Sequence, residues 1–300
     1  MFVIKNRISS VLLWSVISAA FIGPGTLAAA SSAGALYKYS LIWALLFATL
    51  ACIILQEMAA RISISTGKNL SLILTQHLGR LPSVFIGLAV VIGCAAYEAG
   101  NIIGALSGVT LIFSINRYLV LSIIGIAALL LLGFGTRKIV INSLGALVAL
   151  MGLLFVFMAF QSPASIGQLF EGTVPNFPRG SQWVTLALIG TTIVPYNIYL
   201  GSGLSEGQSL KEMRFGLTSS VALGGIISIA ILITATQIDS MNSFLDLAYL
   251  LKDTVGYWAY LLMGIGLFAA GFTSSVTAPL AAGLITEGLF KDEYTTTRKW

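Results

Sequence analysis

The chain has 300 residues, of which 57% are hydrophobic and 9% are charged, and its mean hydropathy is +0.95. This composition excludes a soluble enzyme, because a water-exposed surface needs many more charged side chains. The net charge of +5 comes from basic residues that stand singly or in pairs between apolar runs, which is not the basic stripe of a nucleic-acid-binding protein. The sequence therefore predicts an all-α integral membrane protein or a membrane barrel.

The long apolar runs indicate transmembrane helices rather than barrel strands. A bilayer core about 30 Å thick needs roughly 20 apolar residues per helical crossing, whereas the strands of a membrane barrel alternate apolar and polar residues. Unbroken runs such as 118–134 fit only the helix. Eight transmembrane helices are predicted: 10–36, 40–64, 82–112, 118–135, 138–160, 182–204, 214–237 and 256–289. The polar intervals 65–81, 161–181 and 238–255 are expected to be loops or surface helices.

Lysine and arginine are distributed unevenly between the two sides of this arrangement. Twelve fall on the side that holds both ends of the chain, and four fall on the other: Lys38, Arg117, Arg179 and Lys252. Because an excess of basic residues faces the cytoplasm, both ends of this chain are expected to be cytoplasmic, in a multi-pass protein of the cell membrane.

Two of the predicted helices carry a proline at mid-length, in Gly23–Thr26 and in Val194–Asn197. Proline lacks an amide hydrogen and clashes with the preceding turn, so both helices should kink or unwind there. Each break alone could be an ordinary kink. The two breaks, however, stand at corresponding positions of two blocks that begin five helices apart, and interrupted helices at matching positions point to a transporter site between inverted repeats.

The motifs around these breaks are specific. The first reads Gly-Pro-Gly-Thr at 23–26 and is followed by Ala-Gly-Ala at 33–35, and the second reads Val-Pro-Tyr-Asn-Ile-Tyr-Leu at 194–200. Together with Thr66–Leu70 and Gly264–Gly288 they resemble the Nramp family of proton-coupled divalent metal transporters. The resemblance implies a LeuT-type inverted-repeat helix bundle with discontinuous helices 1 and 6.

The resemblance also implies a domain organisation. Residues 1–300 are expected to form a single transmembrane transporter domain, with a first five-helix repeat at 1–160 and an incomplete second repeat at 182–300. Since the LeuT-type core has ten helices, the favoured interpretation is that the chain is a fragment without its C-terminal helices. The alternative is a shortened form that needs a partner or a second subunit.

The metal ligands of the family do not carry over. An aspartate, an asparagine and a methionine bind the ion in the family, and this chain has Gly23, Thr26 and Val194 at those positions. The remaining hydroxyl, amide, phenol and carbonyl groups suit a more hydrated ion or a neutral or zwitterionic solute. The predicted substrate-binding residues are Gly23, Pro24, Gly25, Thr26, Thr191, Val194, Tyr196 and Asn197, with the Thr192 hydroxyl nearby; the metal-ligand set stays unknown.

One acidic residue lies deep in a predicted span. Glu98 is halfway along the third helix, and Asn101 follows one turn later on the same face. An intramembrane carboxylate is a functional hypothesis by default, and the resemblance places both residues on positions that the family associates with its proton route. Glu98 and Asn101 are therefore predicted to form a proton relay or a charge partner for the cargo. The alternative is a protonated glutamate that bonds a neighbouring carbonyl.

These features predict a secondary-active transporter rather than an enzyme. The resemblance implies a divalent metal cation of the manganese, iron or magnesium class as cargo, with proton coupling as an option. The alternatives are a transporter of an uncharged or amino-acid-like solute and a receptor on the same scaffold. No cofactor is predicted. Cys52 and Cys94 are predicted to be core residues and His77 to be solvated in a loop. Glu57 is predicted to pair with Arg61, with a gate contact as the alternative.

Overall fold

The computed structural model of the protein describes Ser10, Trp14 and residues 22–134, 138–205 and 207–290. These residues form twelve helices. In chain order they are α1 (Pro24–Tyr37), α2 (Ile42–Thr66), α3 (Leu70–Leu78), α4 (Arg80–Ile112), α5 (Arg117–Phe134), α6 (Lys138–Gln161), α7 (Ile166–Glu171), α8 (Gln182–Thr192), α9 (Pro195–Leu204), α10 (Leu210–Ala235), α11 (Phe244–Val255) and α12 (Tyr257–Phe290).

Within the described residues, seven helical stretches are long and apolar enough to cross a membrane. They are α2, α4, α5, the 143–161 part of α6, α8 with most of α9, α10 and α12, and they confirm seven of the eight predicted spans. The eighth, at 10–36, is described only at Ser10, at Trp14 and from Ile22 onward, and α1 is its second half.

The three polar intervals contain the short helices α3, α7 and α11, each begun by a polar cap. The Asn69 side chain accepts a hydrogen bond from the Leu72 amide, and Ser165 and Ser243 form capping boxes. Another capping box, between Ser209 and Glu212, starts α10 four residues before its predicted start at 214. Side-chain capping thus set boundaries that hydropathy could not.

Helix α12 is the centre of the bundle, since 78% of its most apolar window is buried, against 17% for α4 and for α5. Glycines bring α12 into backbone contact with α4. A Cβ on Gly271 would lie 2.5 Å from the backbone carbonyl oxygen of Asn101 and from the backbone nitrogen of Ala105. Small residues allow such close approach of membrane helices. This packing fixes the rotation of α4 and therefore decides which of its side chains face the site.

Hydrogen bonds to the α10 region hold both ends of the first predicted span, 10–36. Near the start, Ser10 Oγ donates to the Glu212 carbonyl at 2.7 Å, and the buried Trp14 ring nitrogen donates to Gln208 at 3.3 Å. At the far end, the Lys38 ammonium donates to the carbonyls of Thr236 and Ile238 at 2.9 and 3.2 Å, at the carboxyl end of α10. The described part of this span thus packs along α10.

Three predictions about polar and sulfur-containing side chains have mixed outcomes. The predicted pair of Glu57 with Arg61 is present, but its N–O distance is 3.9 Å. The shorter ion pair of Glu57 is with Arg214 of α10, at 2.8 Å, and it joins two helices. His77 is exposed as predicted, but it lies in the last turn of α3 and not in a loop. The prediction that Cys52 and Cys94 are core residues is confirmed, because both are buried.

Candidate functional site

The first break lies at Ile22 and Gly23. Gly23 has an extended backbone, with φ −88° and ψ −179°, and α1 begins at Pro24 without a side-chain cap. Proline suits the first position of a helix because its missing amide hydrogen would have no acceptor there. The amides of the first turn of α1 therefore face the middle of the bundle, where they give this helix end a partial positive charge.

The second break lies at Ile193 and Val194. Helix α8 ends at Thr192, both break residues leave helical geometry (Val194 has φ −83° and ψ 116°), and α9 begins at Pro195. The break therefore presents the carbonyl end of α8 beside the amide end of α9. The carbonyl end carries a partial negative charge, which favours a cation. A mid-length break in helix 6 was predicted from Pro195, and the geometry confirms it.

The two breaks face each other. Thr26 Oγ1 donates to the Thr191 carbonyl at 3.3 Å, and a Cβ on Gly25 would lie 3.4 Å from the Thr191 methyl group. Between them lies a cavity of about 260 Å³. Its lining residues come from both breaks and from the middle of α4: Gly23, Gly25, Thr26, Ala96, Tyr97, Gly100, Asn101, Thr191, Val194 and Tyr196.

Seven of the ten predicted site residues line this cavity, and Pro24, Glu98 and Asn197 do not. The Pro24 ring packs against Gly104 of α4, where a Cβ would overlap it. Glu98 is half-buried beside Asn101, and its Oε2 atom has no hydrogen-bond partner among the described residues. The Thr192 hydroxyl donates to the Leu188 carbonyl within its own helix.

Asn197 is completely buried, and neither its side-chain nitrogen Nδ2 nor its side-chain oxygen Oδ1 has a hydrogen-bond partner in the described part of the chain. The Asn101 nitrogen is unsatisfied in the same way. A buried polar group without a partner costs about 1–3 kcal/mol. Glu98 and these two asparagines thus each carry a buried polar atom without a hydrogen-bond partner among the described residues. Such atoms are expected where a ligand or water supplies the missing bonds.

Sequence reasoning missed Tyr97. Its hydroxyl donates to the Gly190 carbonyl at 2.7 Å, in the last turn of α8, and its ring meets the Tyr196 ring edge to face at 5.5 Å. The signal was present in the spacing, because Tyr97 lies one helical turn before Asn101 and so shares its face.

The cavity lining is neutral. None of its residues is charged, and no group of three or more His, Cys, Asp or Glu side chains that could hold a metal ion occurs among the described residues. The groups that can contact a cargo are hydroxyl, amide, phenol and backbone oxygens, with two helix amide ends. Such oxygens suit hard cations, and the amide ends suit a carboxylate group.

Comparison with known proteins decides the family. The sequence profile of Nramp, described as natural resistance-associated macrophage protein-like, matches residues 15–300. The chain belongs to the Nramp family. The similar proteins include the divalent metal cation transporters MntH of Klebsiella pneumoniae, 28% identical, and of Verminephrobacter eiseniae, 27% identical. The matches cover 90% and 91% of this chain and 70% and 67% of those relatives.

Solved structures confirm the fold. A mutant of the manganese transporter of Eremococcus coleocola superposes with a TM-score of 0.80 at 21% identity, over 95% of this chain and 66% of that one. The same transporter in complex with an aromatic bis-isothiourea compound superposes at 0.79. The predicted LeuT-type helix bundle with interrupted helices is therefore confirmed, and this chain spans just under two thirds of the length of that transporter.

The positions that the sequence resemblance aligns with metal ligands lie at or next to the two breaks. The three positions where the resemblance places metal ligands, Gly23, Thr26 and Val194, all lie on the cavity wall. Gly23 and Val194 offer only backbone groups there, and Thr26 adds one hydroxyl.

Proposed function

We propose that this chain belongs to a secondary-active transporter that moves a divalent metal cation of the manganese, iron or magnesium class by alternating access. The observation that carries the proposal is the cavity of about 260 Å³ that lies between the two broken helices. In lipid, backbone groups freed by a break must be satisfied by protein, water or cargo, and broken helices at matching positions of two repeats are where transporters bind their cargo. The names of the relatives support the metal class.

The proposed binding residues are those of the two breaks: Gly23–Thr26, Thr191, and Val194 with Tyr196 and Asn197. The carbonyl end of α8 supplies the partial negative charge that attracts a cation. A cavity of about 260 Å³ exceeds the needs of a bare ion, since one water occupies about 30 Å³ in the liquid. The cation therefore keeps part of its hydration shell, which compensates for the missing carboxylate and sulfur ligands.

Glu98 is proposed as the charge partner and proton relay, with Asn101 beside it. It is half-buried in the middle of α4, and one of its oxygens lacks a partner among the described residues. A carboxylate at this depth is costly when it is ionised and unpaired. A passing cation would lower that cost, and so would a proton on the carboxylate. Cation passage and protonation of Glu98 are therefore coupled.

A second candidate function follows from the neutral cavity lining. Among the described residues, no carboxylate, thiol or imidazole lines the cavity, and the amide ends of α1 and α9 lie at it. These features also fit a zwitterionic, amino-acid-like solute whose carboxylate would lie at an amide end.

We further propose that both ends of this chain are cytoplasmic, from the distribution of lysine and arginine, and that 1–160 and 182–300 are inverted repeats. The breaks support the repeat proposal, because they begin α1 and α9 with the same extended-residue and proline arrangement.

Uptake into proteoliposomes tests the function. Manganese and magnesium uptake should occur and should rise with an inward proton gradient, and Glu98→Gln should abolish the gradient dependence. Uptake unchanged in Glu98→Gln would remove Glu98 from the mechanism. Calorimetry with manganese against a panel of amino acids separates the candidates: binding heat from an amino acid and none from manganese would establish the second function.

A further inference from the structure

A second cavity of about 170 Å³ lies beside the first and is not used by the proposed site. It is lined by Ala89, Val90, Gly93, Tyr97, Pro195 and Tyr196. Tyr97 and Tyr196 line both cavities, and the other residues line only one. The two tyrosine side chains therefore form the wall between the two spaces.

The position of the second cavity places it in series with the first. Its α4 residues, from Ala89 to Gly93, lie one to two turns closer to the beginning of the helix than Ala96 and Gly100 of the first cavity. The α9 residues of the two cavities overlap, so the shift is along α4. It runs toward the end of the bundle that holds Arg80, the first residue of α4. A cargo that left the first cavity in this direction would meet the second.

The wall is held by identifiable contacts. The rings of Tyr97 and Tyr196 meet edge to face, with centroids 5.5 Å apart and planes at 77°, which is a favourable aromatic geometry. The Tyr97 hydroxyl donates to the Gly190 carbonyl at 2.7 Å, and Gly190 lies three residues before the break at Ile193. The wall is thus anchored to the helix whose interruption forms the site.

We propose that Tyr97 and Tyr196 form a movable barrier on the transport path and that the second cavity is the next compartment of the cargo. The proposal rests on the proposed function for its cargo. The barrier opens when the Tyr97 hydroxyl leaves the Gly190 carbonyl and the rings separate. A rearrangement of α8 against α4 breaks this hydrogen bond and the ring contact, and it joins the two cavities.

Two alanines on the same helix give a matched pair of reporters. Ala96 lines only the first cavity and Ala89 only the second, and both are exposed on α4. In a chain whose Cys52 and Cys94 are replaced by alanine, Ala96→Cys and Ala89→Cys are made separately. A membrane-impermeant methanethiosulfonate is applied to each side of the membrane in turn, and the rate of thiol modification is measured, without any metal present.

If the tyrosines form a barrier, the two cysteine reporters should be accessible from opposite sides of the membrane. The reagent should reach Ala96→Cys from one side and Ala89→Cys from the other. Adding Tyr97→Ala should raise the modification rate from the protected side by at least about tenfold, because it removes both the ring contact and the hydrogen bond. Tyr97→Phe keeps the ring and serves if the alanine variant does not fold; it should raise that rate about fivefold, as the loss of one hydrogen bond predicts. Tyr118→Ala, at an exposed tyrosine of α5, should change nothing.

Two results would overturn the barrier: equal modification of both reporters from one side in the parent chain, or unchanged protection in both Tyr97 variants. Manganese uptake is measured in parallel. If no divalent ion is taken up, the proposed function fails, while the modification rates still decide whether the tyrosines separate the two cavities.

Discussion

The two helix breaks meet at one cavity, but they are held by different interactions. The first is a steric fit: an extended glycine, and a proline ring packed into the space left by Gly104. The second has the bulky residues Ile193 and Val194 in non-helical geometry, and a tyrosine hydroxyl bonds the last turn of α8 beside it. The first break therefore leaves no room for a methyl group at Gly104, whereas the second depends on polar groups that can exchange partners. We therefore expect conformational change at the second break rather than at the first.

The largest expected effect tests the steric fit of the first break. Gly104→Ala places a methyl group where the Pro24 ring lies, and overpacking of this kind costs about 1–3 kcal/mol. Thermal unfolding in detergent should show a lower Tm, and manganese binding should be lost. The matched control is Gly93→Ala on the same helix, where nothing lies within 4 Å of the new atom; it should gain about 0.5–1 kcal/mol from helix propensity. Equal Tm changes in the two variants would contradict the fit.

The next effect has the opposite sign and concerns the second break. Asn197→Leu replaces a buried amide that has no partner in the described chain, and the relief is about 1 kcal/mol or more. The Tm should rise while cargo binding, measured by calorimetry, falls. Gln56→Leu is the control, because Gln56 is equally buried, has an unsatisfied oxygen and does not line the cavity. A lower Tm for Asn197→Leu with unchanged binding would make Asn197 purely structural.

A smaller effect is expected at the contact that joins the breaks. Thr26→Val removes the donor to the Thr191 carbonyl, and a net hydrogen bond contributes about 0.5–1.5 kcal/mol. Chemical denaturation should show a free energy of unfolding lower by this amount, and the affinity for manganese should fall several-fold. Thr26→Ser keeps the hydroxyl and should restore both quantities. If serine and valine behave alike, the hydroxyl does not connect the two breaks.

The smallest effect lies at the far end of α1, away from either break. Lys38→Met removes the ammonium from the carboxyl end of α10, which costs about 0.3–1 kcal/mol. Tm should fall slightly, and manganese affinity should not change. Lys211→Met at the other end of the same helix should be neutral or slightly stabilising, because a cation is unfavourable at an amide end. A large change in affinity from Lys38→Met would mean that the first break is not rigid.

Much of the architecture could be predicted because membrane burial acts on each segment separately. Hydropathy found seven spans that the structure describes, and Pro195 located the second break within one residue of Val194. The first break was predicted within Gly23–Thr26, and α1 begins at Pro24 in that stretch. Local chemistry suffices in these cases, because a missing amide hydrogen interrupts a helix whatever surrounds it.

The lining of the site was less predictable. Asn197 and Glu98 were expected at the cavity and do not line it, whereas Tyr97 was overlooked and lines both cavities. Which side of a helix faces a site depends on its rotation, and the rotation of α4 is decided by glycine contacts with α12. Those contacts join residues more than 150 positions apart, such as Asn101 and Gly271, so no local pattern records them.

The sequence by itself determined that this protein lies in a membrane, that its crossings are helices, and that two of them open at a proline. These properties follow from lipid solvation and from backbone chemistry, which act within a single segment. Only the tertiary structure decided that the two openings share one neutral cavity and that a pair of tyrosines separates it from a second. Those outcomes depend on how closely glycine-bearing helices approach each other, and that distance is a property of the packed bundle.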